Sequence, residues 1–359
     1  MKTFHCDHCG QQVFFENVVC GRCGNMLGYL SDVQDISTFE AVGNDVWRSL
    51  SPRAQGRDYR MCQNYAVENV CNWMIPAEQP NTLCSSCQLT HIIPALLNDQ
   101  SRQYWYKLEL AKRRLLYTLA TLRVGYDSRE QDPEEGLAFE FLQQMPGGEP
   151  VKTGHDNGLI TLNVAEADDA RREKIREQMN EPYRTLLGHF RHEIGHYYFM
   201  RFERSHAWLE RFRQRFGDER ADYGESLKRH YENGPPPQWE DNFISAYATS
   251  HPWEDWAETW AHYLHMVDAL ETAEACGLAL LPGKAQEPVM QPDNTELEAT
   301  SFERMIERWF PLTYVLNSLN RSLGMPDGYP FTLAPTVIDK LRFVHRSVQE
   351  AAEGSLQSQ

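Results

Sequence analysis

The sequence predicts an α+β protein: a small, metal-stapled N-terminal region followed by a mostly helical domain that holds a small β-sheet. Three observations carry this. Eight of the nine cysteines fall within the first 87 residues. Beyond residue 96, apolar residues recur at helical spacing through several long segments. Near residues 138–166 stand short alternating runs bounded by turn residues, the mark of strands.

The chain has 359 residues, long for one domain and comfortable for two. Hydrophobic residues make up 41% and aromatics 11%, with nine Trp, enough for a substantial core. The net charge of −16 disfavours a broad surface for nucleic acid or anionic membrane. The opening Met1-Lys2-Thr3-Phe4-His5-Cys6 lacks the apolar core of a secretory signal, and no stretch approaches the roughly 18 apolar residues of a membrane span. The expected compartment is a reducing cytoplasm, where paired cysteines more often hold metal than form disulfides.

Residues 1–95 read as a zinc-ribbon region with two four-cysteine sites. Cys6-x-x-Cys9 and Cys20-x-x-Cys23 are two knuckles ten residues apart. Each lets two thiolates reach one ion, and four thiolates close a tetrahedral structural site. The second group is Cys62, Cys71, Cys84 and Cys87. Only Cys84-x-x-Cys87 is a regular knuckle, so Cys62 and Cys71, nine apart, need a loop to meet. A four-sulfur cage does not separate zinc from iron, and an iron site remains open. His5, His8 and His91 read as bystanders, and Cys276 as a small buried hydrophobe in an apolar stretch. Residues 1–100 hold six Lys/Arg against ten Asp/Glu, a net of −4, so the ribbons suit structure or protein docking better than phosphate binding.

Short strands such as Gln12–Phe15 belong to the first ribbon, and a linker containing Ser51-Pro52 leads to the second cysteine group. The larger domain spans residues 96–350 and opens with a long amphipathic helix over Leu96–Arg123. A turn at Met145–Gly148 follows the run Leu137–Leu142, and Asn157-Gly158 precedes the alternating Leu159–Asn163. The Gly158–Asn163 strand could be an open edge that pairs with an extended peptide, or an ordinary core strand. Helices are expected over Pro182–Arg204, over a polar stretch at 205–232, and over residues 252–270, 301–323 and 335–350. The Pro-rich stretch 277–300 reads as a loop and residues 351–359 as a disordered tail.

The helix expected at 182–204 carries Arg191-His192-Glu193-Ile194-Gly195-His196. Four residues is just over one turn, so His192 and His196 project from one face and can supply two ligands to a catalytic Zn²⁺. Glu193 lies beside that face and can take the proton of the attacking water. Phe199 and Phe202 stand where a metzincin needs Gly and His, so the third ligand comes from farther along. In the helix after Pro252, Glu254, Glu258 and His262 share one face at spacing four, while Trp253, Trp256, Trp260 and Leu264 lie elsewhere and can pack. Glu254 is the first choice of ligand, with Glu258 as acceptor from the free ring nitrogen of a ligand His; Glu258 as ligand is the alternative. Tyr247, seven residues before Glu254, could donate to the oxyanion, with His251 and His230 as weaker candidates. His189 reads as a neighbour of the site or a surface residue.

With these residues in hand, the whole chain resembles a bacterial family of zinc-binding metallopeptidases with an N-terminal zinc ribbon. The resemblance rests on Cys6–Cys23, on Gly158 to Asp169 (GLITLNVAEADD), on His189 to Tyr198 (HFRHEIGHYY) and on Asn320 to Asp327 (NRSLGMPD). The segment Tyr247 to Glu258 is also similar to the active-site helix of the anthrax lethal factor peptidase domain, which assigns the oxyanion role to Tyr247 and the ligand role to Glu254. The resemblance implies a zincin-like metallopeptidase domain. The expected cofactor is Zn²⁺, one catalytic and two structural; the expected partners are a peptide or protein substrate and a protein docked on the ribbon. The alternative is a non-proteolytic zinc protein that uses its ribbons for docking.

Overall fold

The computed structural model describes residues 1–144, 147–148, 150–178, 185–292 and 300–357. A two-stranded antiparallel ribbon opens the chain, β1 (Phe4–His5) against β2 (Gln12–Val13). A five-stranded antiparallel meander follows: β3 (Leu27–Leu30), β4 (Asp35–Gly43), β5 (Val46–Ser49), β6 (Asp58–Met61) and β7 (Met74–Pro76). The expected linker is therefore sheet, with Ser51-Pro52 in the connection between β5 and β6. Its polar strands hid it. Ser37, Thr38 and Ser49 are buried, and the Ser37 and Ser49 hydroxyls are 2.7 Å apart, so hydroxyls sit where apolar side chains would advertise a strand. A bridge between Tyr29 and Trp73 brings β3 back towards the start of β7.

Two short helices, α1 (Gln63–Ala66) and α2 (Ser85–Gln88), flank β7, and β8 (Thr90–Ile92) follows. The long helix α3 (Asp99–Thr121) starts on a capping box in which the Asn98 side chain accepts from the Ser101 amide at 2.9 Å. Three further strands, β9 (Ala138–Leu142), β10 (Gly154–Asp156) and β11 (Leu159–Asn163), join β8 in a mixed sheet of order β10-β11-β9-β8. This sheet takes β8 from before residue 95. Asn157 and Gly158 both have positive φ, as a tight two-residue turn between β10 and β11 requires. The turn expected at Met145–Gly148 lies partly outside the described residues.

The remaining helices are α4 (Asp169–Gln178), α5 (Leu186–Phe202), α6 (His206–Phe216), α7 (Tyr223–Asn233), α8 (Pro252–Ala275), α9 (Phe302–Ser322) and α10 (Pro335–Gln357). Thus α10 continues beyond residue 350 into the expected tail, whose last residues, Ser358 and Gln359, lie outside the described ones. The stretch 205–232 is two helices, and α6 is not simply polar: Trp208, Phe212 and Phe216 bury one stripe. That stripe meets Phe199 of α5, Trp256 of α8 and Phe343 of α10 in a dense aromatic core. The ribbon is fastened to α3 by a second group, in which Phe4, Phe15 and Tyr29 surround Tyr117. Buried residues of both regions form one continuous cluster. Cys276 is exposed, contrary to expectation, because it caps α8 beyond the last buried positions Leu270 and Ala273. Among the described residues, no helix is long and apolar enough to cross a membrane.

Candidate metal centre

Two helices create the centre. The Thr185 hydroxyl caps α5 by accepting from the Gly188 amide at 3.0 Å, and α8 begins at Pro252 with His251 as its cap. They cross at Gly195, the residue between Ile194 and His196. A Cβ there would lie 3.1 Å from the Ala257 Cα and 3.2 Å from the Trp260 Cβ, tighter than ordinary contact, so glycine allows this approach without displacing either neighbour. The Trp256 indole donates to the Gly195 carbonyl at 2.8 Å and locks the crossing.

The crossing brings three expected ligands together. His192 Nε2 lies 3.1 Å from His196 Nε2 and 3.0 Å from Glu254 Oε2, and His196 Nε2 lies 3.5 Å from the same oxygen. A tetrahedral ion with arms of about 2.05 Å has edges of about 3.3 Å, which these separations match. Glu254 Oε2 is buried without a good hydrogen bond. Two ring nitrogens and one carboxylate oxygen thus converge around one point, and that donor set suits zinc. Burial disfavours charge on His192, yet Glu254 and Glu258 lift its pKa well above the ordinary 6.5: the pocket carries surplus negative charge and draws a positive one.

Around these atoms the other candidates take distinct places. His192 Nδ1 donates to Glu258 Oε1 at 2.7 Å, so on the neutral ring Nε2 carries the lone pair a metal would take; Glu258 Oε2 accepts from the Ser245 hydroxyl at 2.6 Å. Burial raises the Glu258 carboxyl, but these bonds and the neighbouring imidazoles hold it at about 2. Glu193 is buried, its Oε2 unpartnered, and burial lifts its pKa above the usual carboxylate value, with His192 and His196 opposing in part. The Tyr247 ring lies 6.0 Å from the His192 ring. Burial and the charge on Glu254 keep its phenol protonated, hence a donor.

Other positions correct the reading. His251 cannot serve as an oxyanion donor in this arrangement: its Nδ1 accepts from the Trp253 amide at 3.1 Å and its Nε2 faces the Ala221 carbonyl at 3.0 Å. His230 faces Thr249 at 3.2 Å, behind Tyr247. His189 lies 3.4 Å from Glu166, and His262 pairs with the Tyr329 hydroxyl at 2.9 Å. Trp253, expected only to pack, lies tilted against His196 with ring centres 3.8 Å apart. Three residues were missed: Tyr223, whose hydroxyl donates to Glu254 Oε1 at 2.6 Å; Ser245; and His155, whose ring stacks 6.4 Å from that of His196. Each stands alone in its segment, so no spacing signalled it. The strand Leu159–Asn163 is interior, flanked by β10 and β9, so it is not an open edge; among the described residues β10, which carries His155, is.

The cysteines form two cages. Cys6 and Cys23, like Cys9 and Cys20, hold their sulfurs 3.6 Å apart, and Cys71 and Cys84 hold theirs 3.8 Å apart. A tetrahedron with metal–sulfur arms of about 2.3 Å has edges of about 3.8 Å, whereas a disulfide would need about 2.05 Å. Cys62 and Cys71 meet because they sit at adjoining ends of the antiparallel pair β6 and β7, whose last register is Met61 opposite Met74. Amide hydrogens of Trp73 and Cys84 point at Cys71 and Cys62 sulfurs at 3.3 Å, and the buried Arg113 donates to the Val70 carbonyl at 2.7 Å beside them. Among the described residues, His5, His8 and His91 join no ligand cluster.

A helix bearing H-E-x-x-H, a crossing helix with an acid at its third corner and a ribbon stapled by cysteine cages define a two-part zinc-binding protein. A family model described as "Putative zinc-binding metallo-peptidase" matches residues 101–347, and one for a zinc-ribbon domain matches residues 3–98; the chain belongs to that metallo-peptidase family. Uncharacterized proteins of Mycobacterium bovis and Mycobacterium tuberculosis are each 46% identical to it over 353 residues, covering 98% of this chain and 96% of their own length. No solved structure matches the chain.

Proposed function

We propose that the chain is a zinc-dependent peptidase with His192, His196 and Glu254 as ligands of one catalytic ion and the two cysteine cages as structural sites, three ions in all. The observation that carries this is the convergence of the two Nε2 atoms and Glu254 Oε2 within 3.0–3.5 Å. Zinc held by His192, His196 and Glu254 would supply Lewis acidity and lower the pKa of water at the site. Glu193 takes the proton of the attacking water and returns it to the leaving amine. Glu258 keeps the His192 ring oriented and its tautomer fixed. The Tyr247 hydroxyl donates to the oxyanion that develops on the carbonyl. We assign the pairing of an extended peptide substrate to the edge strand β10. The acidic ribbon and eight unpaired thiols fit a reducing cytoplasm and a protein, not a nucleic acid, as partner.

The test is cleavage of casein and of a peptide library by zinc-replete protein and by Glu193→Gln. Gln has the shape of Glu but cannot accept the proton, so the expected outcome is full zinc content with activity lowered by about 10²–10⁴. Undiminished cleavage by a zinc-replete variant removes the role given to Glu193. A second reading is a docking protein, favoured by the exposure of Phe14, Val18 and Val19 on the ribbon. Absence of cleavage in the presence of full zinc would favour it.

A further inference from the structure

The two oxygens of Glu254 have different partners. Oε2 faces His192 and His196 at 3.0 and 3.5 Å, whereas Oε1 accepts a hydrogen bond from the Tyr223 hydroxyl at 2.6 Å. Tyr223 is the first residue of α7, a helix capped by Asp222, whose side chain accepts from the Glu225 amide at 2.8 Å. Its ring stands edge-on to His251 at 5.3 Å and to Trp253 at 5.6 Å, and Trp253 in turn lies against His196. The phenol therefore reaches the Glu254 carboxylate from outside the α5–α8 crossing, from a residue that remains 38% exposed. Of the α7 residues only Ser226 is buried, so packing contributes little to holding this helix in place.

We propose that Tyr223 is a positioning residue of the metal centre: by occupying Oε1 it confines Glu254 to ligation through Oε2 alone. The inference rests on the reading of His192, His196 and Glu254 as zinc ligands. A carboxylate that offers both oxygens fills two coordination positions. One that offers a single oxygen, beside two imidazoles, leaves the fourth position of a tetrahedral ion for water or a substrate carbonyl. The same bond fixes the carboxylate plane, the task that a partner outside the ligand set performs for metal-binding side chains.

The experiment compares full-length wild type and Tyr223→Phe, both zinc-loaded, in crystals examined by anomalous scattering, with zinc affinity measured against a chromophoric chelator. Phe keeps the ring against Trp253 and His251 and removes only the hydroxyl. The expected result is a site about 10- to 100-fold weaker in Tyr223→Phe. The Glu254 carboxylate turns so that both oxygens face the ion, while both cysteine cages stay filled and the melting temperature is unchanged. Single-oxygen ligation with unchanged affinity in the variant overturns the proposal. So does loss of zinc from the cages together with early melting, which would make the tyrosine a folding residue. If wild type holds no zinc between His192, His196 and Glu254, the underlying reading falls and the positioning role falls with it.

Discussion

Gly195→Ala is the most searching perturbation of the centre, because two effects of known size oppose each other there. In a helix interior, alanine is favoured over glycine by about 1 kcal/mol, so propensity alone predicts a more stable protein. Space predicts the reverse. The new methyl would stand 3.1 Å from the Ala257 Cα and 3.2 Å from the Trp260 Cβ and Cγ, all tighter than ordinary van der Waals contact. The first neighbour is backbone and the second belongs to a fully buried indole, so neither yields by rotating a side chain. The helices must separate by a few tenths of an ångström, and such overpacking costs about 1–3 kcal/mol. Net stability therefore changes little or falls by up to about 2 kcal/mol. Zinc binding is the sharper readout. The proposed site draws on both helices, His192 and His196 from α5 and Glu254 from α8, and ligand distances in metal sites stay within about 0.2 Å of their ordinary values. Urea denaturation and chelator competition on the same preparation separate the two quantities. Affinity for zinc should fall even where stability is nearly unchanged. A variant that is more stable and binds zinc as tightly as wild type would show that the helices do not need this close approach.

Two further outcomes follow from burial. His345 is held at about 4, below its ordinary 6.5, by burial against Tyr263, whose hydroxyl is 3.1 Å from Nδ1; its stabilising contribution, about 3 kcal/mol at most, is complete above pH 6.5 and lost as pH falls towards 4, so the difference in urea midpoint between pH 8 and pH 5 should shrink in His345→Gln. In the cages, Cys62, Cys71, Cys84 and Cys87 are all buried while Cys9 and Cys23 are partly exposed, so a colorimetric chelator should strip the cysteine-bound zinc in two phases, with Cys9→Ser abolishing the faster and Cys71→Ser the slower.

What the sequence made legible was whatever local geometry fixes. The pair His192 and His196 needs only the helical repeat, and the two knuckles Cys6–Cys9 and Cys20–Cys23 need only a tight turn. The long helix over residues 99–121 declared itself by periodicity. The β-meander between the cages did not, because β4 buries Ser37 and Thr38 and exposes Val42, inverting the alternation that marks a strand. Likewise the apolar stripe of α6 is diluted by the arginines between Trp208, Phe212 and Phe216, whose ion pairs with Glu219, Asp339 and Glu350 exist only in the folded chain.

Within the site the boundary between legible and illegible follows the same rule, and it explains why Glu254 and Glu258 could be told apart at all. Spacing places both on one face of α8 but does not say which meets the two Nε2 atoms. The crossing at Gly195 decides: it sets Glu254 against both Nε2 atoms and Glu258 against the far nitrogen of His192. The two acids, four residues apart on α8, thus take opposite nitrogens of one histidine ring, Glu254 at Nε2 and Glu258 at Nδ1. Tyr223 and Ser245 then satisfy the outward oxygen of each acid, from segments whose distance in sequence from α5 leaves no periodic trace. A local pattern can nominate ligands; only tertiary structure can supply the donors that hold those ligands still.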